Sequence, residues 1–331
     1  MSKGKVVVLG VNGHIGQAAA RAFVAAGWDV TGMARSDKYR VPGVKFVQGD
    51  SYSVADMRAA IGDVDVVVNA LNLPYASWDE GRMEAQMARV LEAMGTSGKT
   101  MLFPGNIYNY AATDRVLTPG LRQRPQTPRG EIRMRIERSF EAAAGRGDLQ
   151  VIVLRAGDFF SPDCDGDWFE YALLREAGKG RIATMGLPGV GHSWAYLPDL
   201  ARAFESLAAI RSSLGAFENF HFAGHFVTGE EMGAAIAKAA PVPMRTTRFP
   251  LWLLRVAGLF DPMLREVSKM DYIWRNQMEL RDARLDALLG AGFATPFEDA
   301  VAATVARFFP AELVAARMES EPNLNASLTR A

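Results

Sequence analysis

The stretch Lys5 to Gly16, KVVVLGVNGHIG, constrains this chain more than any other. Val6, Val7, Val8 and Leu9 make a short β-branched, apolar run, the pattern of a strand buried on both faces. Gly10, Gly13 and Gly16 follow at three-residue spacing, and Gln17 to Ala26 then reads as a helix closed by Gly27. A strand, a glycine turn and a helix N-terminus together make an anion site, because backbone N–H groups point outward there and the helix dipole favours negative charge. Glycine is needed where the backbone turns tightly and where a pyrophosphate must come close.

That context turns a weak motif into a dinucleotide expectation, with Gly10, Asn12, Gly13, His14, Ile15 and Gly16 as its contacts. Trp28 to Ala34 reads as a second strand, and Arg35 and Ser36 leave it. In such folds the end of strand two meets the adenosine ribose, where an acidic residue suits the 2′-hydroxyl of NAD and an arginine the 2′-phosphate of NADP. The planar fork of Arg35 suits a phosphate, so NADP is the expected cofactor. Asp37, two residues on, keeps NAD open, and Arg35 as a solvated loop charge is the plain alternative.

Strand and helix patterns then alternate. Val44 to Val47 is strand three, running into Gln48-Gly49-Asp50, and Ser53 to Ile61 a helix with Ser53 as N-cap. Asp65 to Ala70 is strand four, Asn72 to Trp78 a loop, and Asp79 to Met94 a helix. Lys99 to Phe103 is strand five, 113–127 a surface loop, Pro128 to Ala144 a helix and Gln150 to Leu154 strand six. Trp194 to Leu207 reads as a connection entering a helix near Pro198, and Phe217 to Ala316 as mostly helical, although His221 and His225 sit in strand-and-turn surroundings. The expected fold is α/β: a doubly wound, Rossmann-like parallel sheet with a smaller, mostly helical C-terminal substrate region. Residues 1–160 and part of 180–215 form the dinucleotide-binding domain, 161–180 and 216–318 the substrate region, and 319–331 a flexible tail.

Lysine plus arginine and aspartate plus glutamate both number 37, which argues against a general nucleic-acid or membrane-surface binder. One cysteine, Cys164, allows no intrachain disulfide and fits a reducing cytoplasm. No secretory h-region is seen. The apolar patch Phe249 to Phe260 is too short to span a bilayer and reads as a buried or pocket-covering helix. Four histidines without an accompanying carboxylate cluster give no metal set. Phe159, Phe160, Trp168, Trp194, Tyr196 and Trp252 suggest an aromatic-lined pocket, or simply core.

The ordered series of the glycine motif, Asp50, Asn69-Ala70, Ile107-Tyr108, Leu154 to Gly157 and Tyr196 to Asp199 resembles the extended and atypical short-chain dehydrogenase/reductase family, the NAD-dependent epimerase/dehydratase group. The resemblance implies a nicotinamide dinucleotide, with Asp50 and Ser51 near the adenine and Asn69, Ala70 and Leu71 beneath the cofactor. Asp50 as a plain turn carboxylate is the alternative. It also implies a small-molecule substrate, and pairing into a homodimer is common in that family. Catalysis there uses Tyr-x-x-x-Lys before strand six and a hydroxyl residue after strand five. Here Arg129 and Arg133 fall at the tyrosine and lysine positions, and Pro104, Gly105 and Asn106 carry no hydroxyl. An arginine cannot cycle a proton at neutral pH, although Arg133 can still hold a ribose. Two readings follow. One is an NADP-dependent oxidoreductase or epimerase-type enzyme whose acid is displaced to Tyr108 or Tyr110. The other is a non-catalytic NADP-binding redox sensor or regulator. Tyr108 as mere packing is the bland alternative.

Overall fold

Seven parallel strands order themselves around that first apolar run. In this computed structural model, which describes residues 2–163 and 169–314, β1 (Lys5–Leu9) lies between β2 (Asp29–Ala34) and β4 (Val66–Asn69). Adding β3 (Val44–Gln48), β5 (Thr100–Gly105), β6 (Gln150–Arg155) and β7 (Phe217–His221) gives the order β7-β6-β5-β4-β1-β2-β3. Cys164, Trp168 and the tail 319–331 lie outside the described residues.

Side chains alternate across the sheet with period two and divide one strand between two cores. Val6, Val8, Val66, Val68 and Ile152 face α1 (His14–Ala25) and α5 (Leu197–Ala209), meeting Phe23 and Phe204. Val7, Leu9, Val67, Met101 and Phe103 face α2 (Val54–Ile61), α3 (Arg82–Met94) and α4 (Pro128–Gly145), meeting Met57, Met87 and Phe140. Each such side chain, fully removed from water, contributes about 1.5–3 kcal/mol. The central strands therefore need to be apolar throughout, which is why they are legible as VVVL and VVVN. Ser53 caps α2 by accepting from the Asp56 N–H, as its position predicts.

Four local expectations need correction. Phe217–His221 is a seventh strand of the main sheet, not part of the helical substrate region. It is an edge strand paired only with β6, so its alternating FENFH pattern lacks a continuous apolar run. The segment read as a connection at Trp194 is the end of a wholly buried strand, Gly191–Tyr196, whose pattern His192 and Ser193 obscure. It pairs with Asp158–Phe160 on one side and His225–Thr228 on the other. The surface loop 113–127 is partly interior: Leu117 is buried in a short pairing with Glu279–Leu280, and buried Asp114 binds Arg124. Finally, α3 starts at Arg82 rather than Asp79, because Glu80 and Gly81 take left-handed φ values of 60° and 72°.

Past the sheet the chain is mostly helical, with α6 (Gly229–Ala239), α7 (Trp252–Ala257) and α8 (Pro262–Ser268) on a separate apolar core. Among the described residues no helix is long and apolar enough to cross a membrane.

Candidate active site

The glycine turn sits at the carboxyl end of β1, beside the point where the strand order reverses between β1 and β4. Gly10 has φ +83°, and a Cβ on Gly16 would stand 2.3 Å from the Gly10 carbonyl oxygen. The fold itself thus demands both glycines. Gly13 differs: it has ordinary φ, and a Cβ there would meet only the Gly10 oxygen at 3.4 Å. It is also the N-cap of α1, with no side-chain cap and no acidic residue in the first turn, so the helix end is left open to an anion. Asn12 holds the turn to strand two by donating to the Ser36 carbonyl at 2.7 Å.

Beyond strand two a hollow of about 290 Å³ is lined by Val11, Asn12, Asp37, Tyr39 and Arg40, among others. Arg35, just past the end of β2, is exposed with no ion pair or hydrogen bond to the described residues, and Asp37 lies 3.9 Å from Arg40. Asp50 is exposed and accepts from the Tyr52 N–H at 3.0 Å, a turn contact, and the Ser51 carbonyl accepts from Gln86. Asn69 is wholly buried, with its amide toward the sulfurs of Met87 and Met101, so only its backbone can face a cofactor. Ala70 and Leu71 pack on Gly10.

From His14 a cleft of about 950 Å³ opens toward the C-terminal helices. Its inner end carries His14, Tyr75, Tyr108, Asp158 and Phe159, and its walls come mainly from α7 and α8. Of the aromatics expected to line a pocket, Phe159 lines this cleft. Phe160, Trp194 and Tyr196 are core, Trp252 points outward with 59% exposure, and Trp168 is outside the described residues.

The two tyrosines named from sequence separate. Tyr108 lines the cleft, and burial with the nearby Asp158 carboxylate pushes its phenol up to about 12. Tyr110 is not among the residues lining the cleft. Its ring is fully buried and its hydroxyl lies 3.1 Å from His221 Nε2. His221 Nδ1 meets the Leu117 carbonyl, which only accepts, so Nδ1 carries the proton and Nε2 accepts from Tyr110. Burial, aided by Arg155, holds this histidine down to about 3. Arg155 itself pairs with Glu137 at 2.7 Å in the same interior network.

The arginines separate as well. Arg129 is fully buried and bridges Asp79 at 3.1 Å and Glu266 at 3.2 Å, tying α4 to α8. Arg133 lies over the Trp78 ring at 4.7 Å, 8% exposed, with its Nε and Nη1 donors unbonded. A buried guanidinium with free donors is costly, and a ligand oxygen would satisfy it.

Sequence reasoning passed over Tyr75 and Asp158. The Tyr75 hydroxyl is buried beside Tyr108, its ring meets that ring edge to face at 6.3 Å, and burial, with Tyr108 next to it, holds its phenol well above the ordinary range. Its place in the loop after β4 was a usable signal, since ligands in such sheets sit at carboxyl strand ends. Asp158 Oδ2 accepts from Trp274 Nε1 at 2.8 Å and lies 3.0 Å from His192 Nε2. Only the folded chain brings these three together. Among the described residues no group of three or more His, Cys, Asp or Glu converges as a metal set.

A doubly wound parallel sheet with an open glycine turn at its switch point defines a dinucleotide-binding α/β protein. The model of the NAD dependent epimerase/dehydratase family matches residues 6–215, and the chain belongs to that family and is an enzyme of it. No curated protein matches the chain in sequence. Among solved structures, MoeE5 in complex with UDP-glucose and NAD is similar at TM-score 0.72 and 20% identity, covering 95% of this chain and 100% of its own. The Bordetella bronchiseptica enzyme WbmH in complex with NAD+ is similar at TM-score 0.69 and 18% identity, covering 92% and 98%. A UDP-galactose 4-epimerase is similar at TM-score 0.69 and 15% identity, covering 92% and 98%. At these identities the likeness is one of fold.

Proposed function

We propose that this enzyme is NADP(H)-dependent and moves a hydride to and from a carbonyl or secondary alcohol carbon of a small organic molecule, as an oxidoreductase or as an epimerase that shares that first step. The observation that carries the reading is Tyr108, a neutral phenol lining the same cleft as His14 of the glycine turn. A nicotinamide dinucleotide bound at that turn would accept or supply the hydride. The chain's own residues do the rest. The open end of α1 and Gly13 take the pyrophosphate, and the free donors of Arg133 hold ribose hydroxyls. Tyr108 gives its proton to the oxygen of the carbonyl being reduced and takes it back in the reverse direction. Arg35 favours the 2′-phosphate of NADP, and Asp37 makes NAD the competing cofactor. A single cysteine suits the cytoplasm as the location.

Calorimetric titration with NADPH, NADP+, NADH and NAD+ tests this. Gly13→Val is expected to abolish dinucleotide binding while the protein stays folded, with only a small fall in melting temperature from the poorer N-cap, because a Cβ there meets nothing closer than 3.4 Å. Arg35→Ala is expected to weaken NADP(H) by one to two decades, about 1.5–3 kcal/mol, with little effect on NAD(H). Equal losses for both cofactors would remove Arg35 from the 2′-phosphate site. Absence of heat with all four would overturn the reading.

A further inference from the structure

We propose that the cleft takes an apolar substrate carrying one carbonyl or secondary hydroxyl, not a nucleotide sugar. This rests on the hydride-transfer reading above and names the substrate class of the same site. The cleft gathers most of its polar groups at one end. Tyr108, Tyr75, Asp158 and His14 gather beside the glycine turn, and from there the walls are Leu253, Val256, Met263, Leu264, Val267 and Ile273. At about 950 Å³ it lies near the top of the range of roughly 300–1,000 Å³ for small-molecule sites. It therefore has room for an extended body beyond the reacting carbon.

Charge decides between the two classes. A nucleoside diphosphate needs paired cations or a cluster of free N–H groups. Arg175 is the one permanent cation among the described lining residues, and it is exposed at the rim. Deeper in, Asp158 is held by Trp274 and lies close to His192, and the buried cation that acts on Tyr108 and Tyr75, Arg133, is the one assigned above to the cofactor ribose. The N-terminus of α8 offers no anion site either, because Asp261 already accepts from the Met263 and Leu264 N–H groups. A diphosphate moved into this cleft would lose its water and meet a carboxylate, at a cost that apolar contacts do not offset.

The walls point the same way. Leu253, Val256 and Met263 are 40%, 47% and 47% exposed, an apolar margin that an apolar ligand would cover. Met185, Met263 and Met270 all line the cleft, and methionine adapts its shape to irregular hydrocarbon. The segment from Phe249 to Ala257 thus covers a pocket, and its apolar character is explained by what it faces.

The experiment uses 2-undecanone as the apolar probe, with UDP and UDP-glucose as the competing class, each titrated into the NADP+-loaded protein by calorimetry. NADPH consumption is followed in parallel with the ketone. The ketone is expected to bind with a negative heat-capacity change and to be reduced, and UDP and UDP-glucose to give no heat at millimolar concentration. Val256→Glu and Met263→Glu, at half-exposed positions that should fold normally, are expected to weaken the ketone about ten-fold or more with dinucleotide binding unchanged. Phe260→Ser, 85% exposed and outside the cleft, should leave ketone binding as it was. Binding of UDP or UDP-glucose, no ketone binding to the loaded protein, or ketone binding unchanged in both glutamate variants would overturn the proposal. If no dinucleotide bound at all, the hydride-transfer reading would fall, and the same titrations on the free protein would still decide the ligand class.

Discussion

Tyr108 differs from a tyrosinate base in one respect that can be measured. Desolvation and Asp158 raise its phenol to about 12, outweighing the opposing effects of Tyr75 and Arg133. The protonated form is the one that donates, so carbonyl reduction is expected to stay flat from neutral pH to about pH 10 and to fall only as pH nears 12. Asp158→Asn removes the charge that raises the phenol and should bring the alkaline limb to lower pH. A kcat/KM profile with a limb near neutrality in the parent enzyme would assign the proton to another group. Tyr108→Phe should lower kcat by about 10²–10⁴-fold, whereas Tyr110→Phe should leave the rate unchanged and cost about 1 kcal/mol of stability through its lost bond to His221.

The element that positions Tyr108 is α4. Gly130 lies in its first turn, and a Cβ there would stand 2.1 Å from the Tyr108 carbonyl oxygen. Alanine would favour the helix by about 1 kcal/mol, yet it must push the Tyr108 loop away. Gly130→Ala is therefore expected to lower kcat at least ten-fold, with dinucleotide affinity nearly unchanged; steady-state kinetics beside cofactor titration checks the split. Elements of this kind were legible in the sequence where their reasons are local. The strand–glycine–helix unit, the Ser53 cap and the start of α4 at Thr127-Pro128 all depend on neighbours in sequence. Edge strand β7 and the buried strand Gly191–Tyr196 were not, because tertiary burial overrode their polar patterns. The site divides in the same way. The glycine turn is contiguous, but Asp158 meets a histidine 34 residues away and a tryptophan 116 away, and no spacing rule announces that.

At the scale of the whole molecule, the buried histidine of the interior network is expected to make stability depend on pH in the acid range. His221 is neutral in the folded state, with its pKa held at about 3 against about 6.5 in the unfolded chain. Between those values the unfolded chain binds the extra proton, so stability is complete above pH 6.5 and is lost as pH falls toward 3. The full effect is on the order of 5 kcal/mol, a large part of a typical folding free energy. Urea unfolding at pH 7 and pH 4 should show it as a drop in midpoint. His221→Gln should be less stable at pH 7 and much flatter between the two. An equally steep loss in His221→Gln would place the acid sensitivity elsewhere. Arg129, bridging Asp79 and Glu266, has a separate role, fastening the cleft wall to the sheet side of the molecule.

The three glycines of the first turn are not alike. Gly10 and Gly16 are imposed by the backbone, and any chain with this turn must keep them whatever it binds. Gly13 is under no such obligation. It occupies the N-cap of α1, where serine, threonine or aspartate would fit in the protein alone and would strengthen the helix by a few tenths of a kcal/mol. The chain forgoes that gain. A position where folding by itself would prefer a side chain, and which stands bare, separates selection for a ligand from selection for a fold within a single residue.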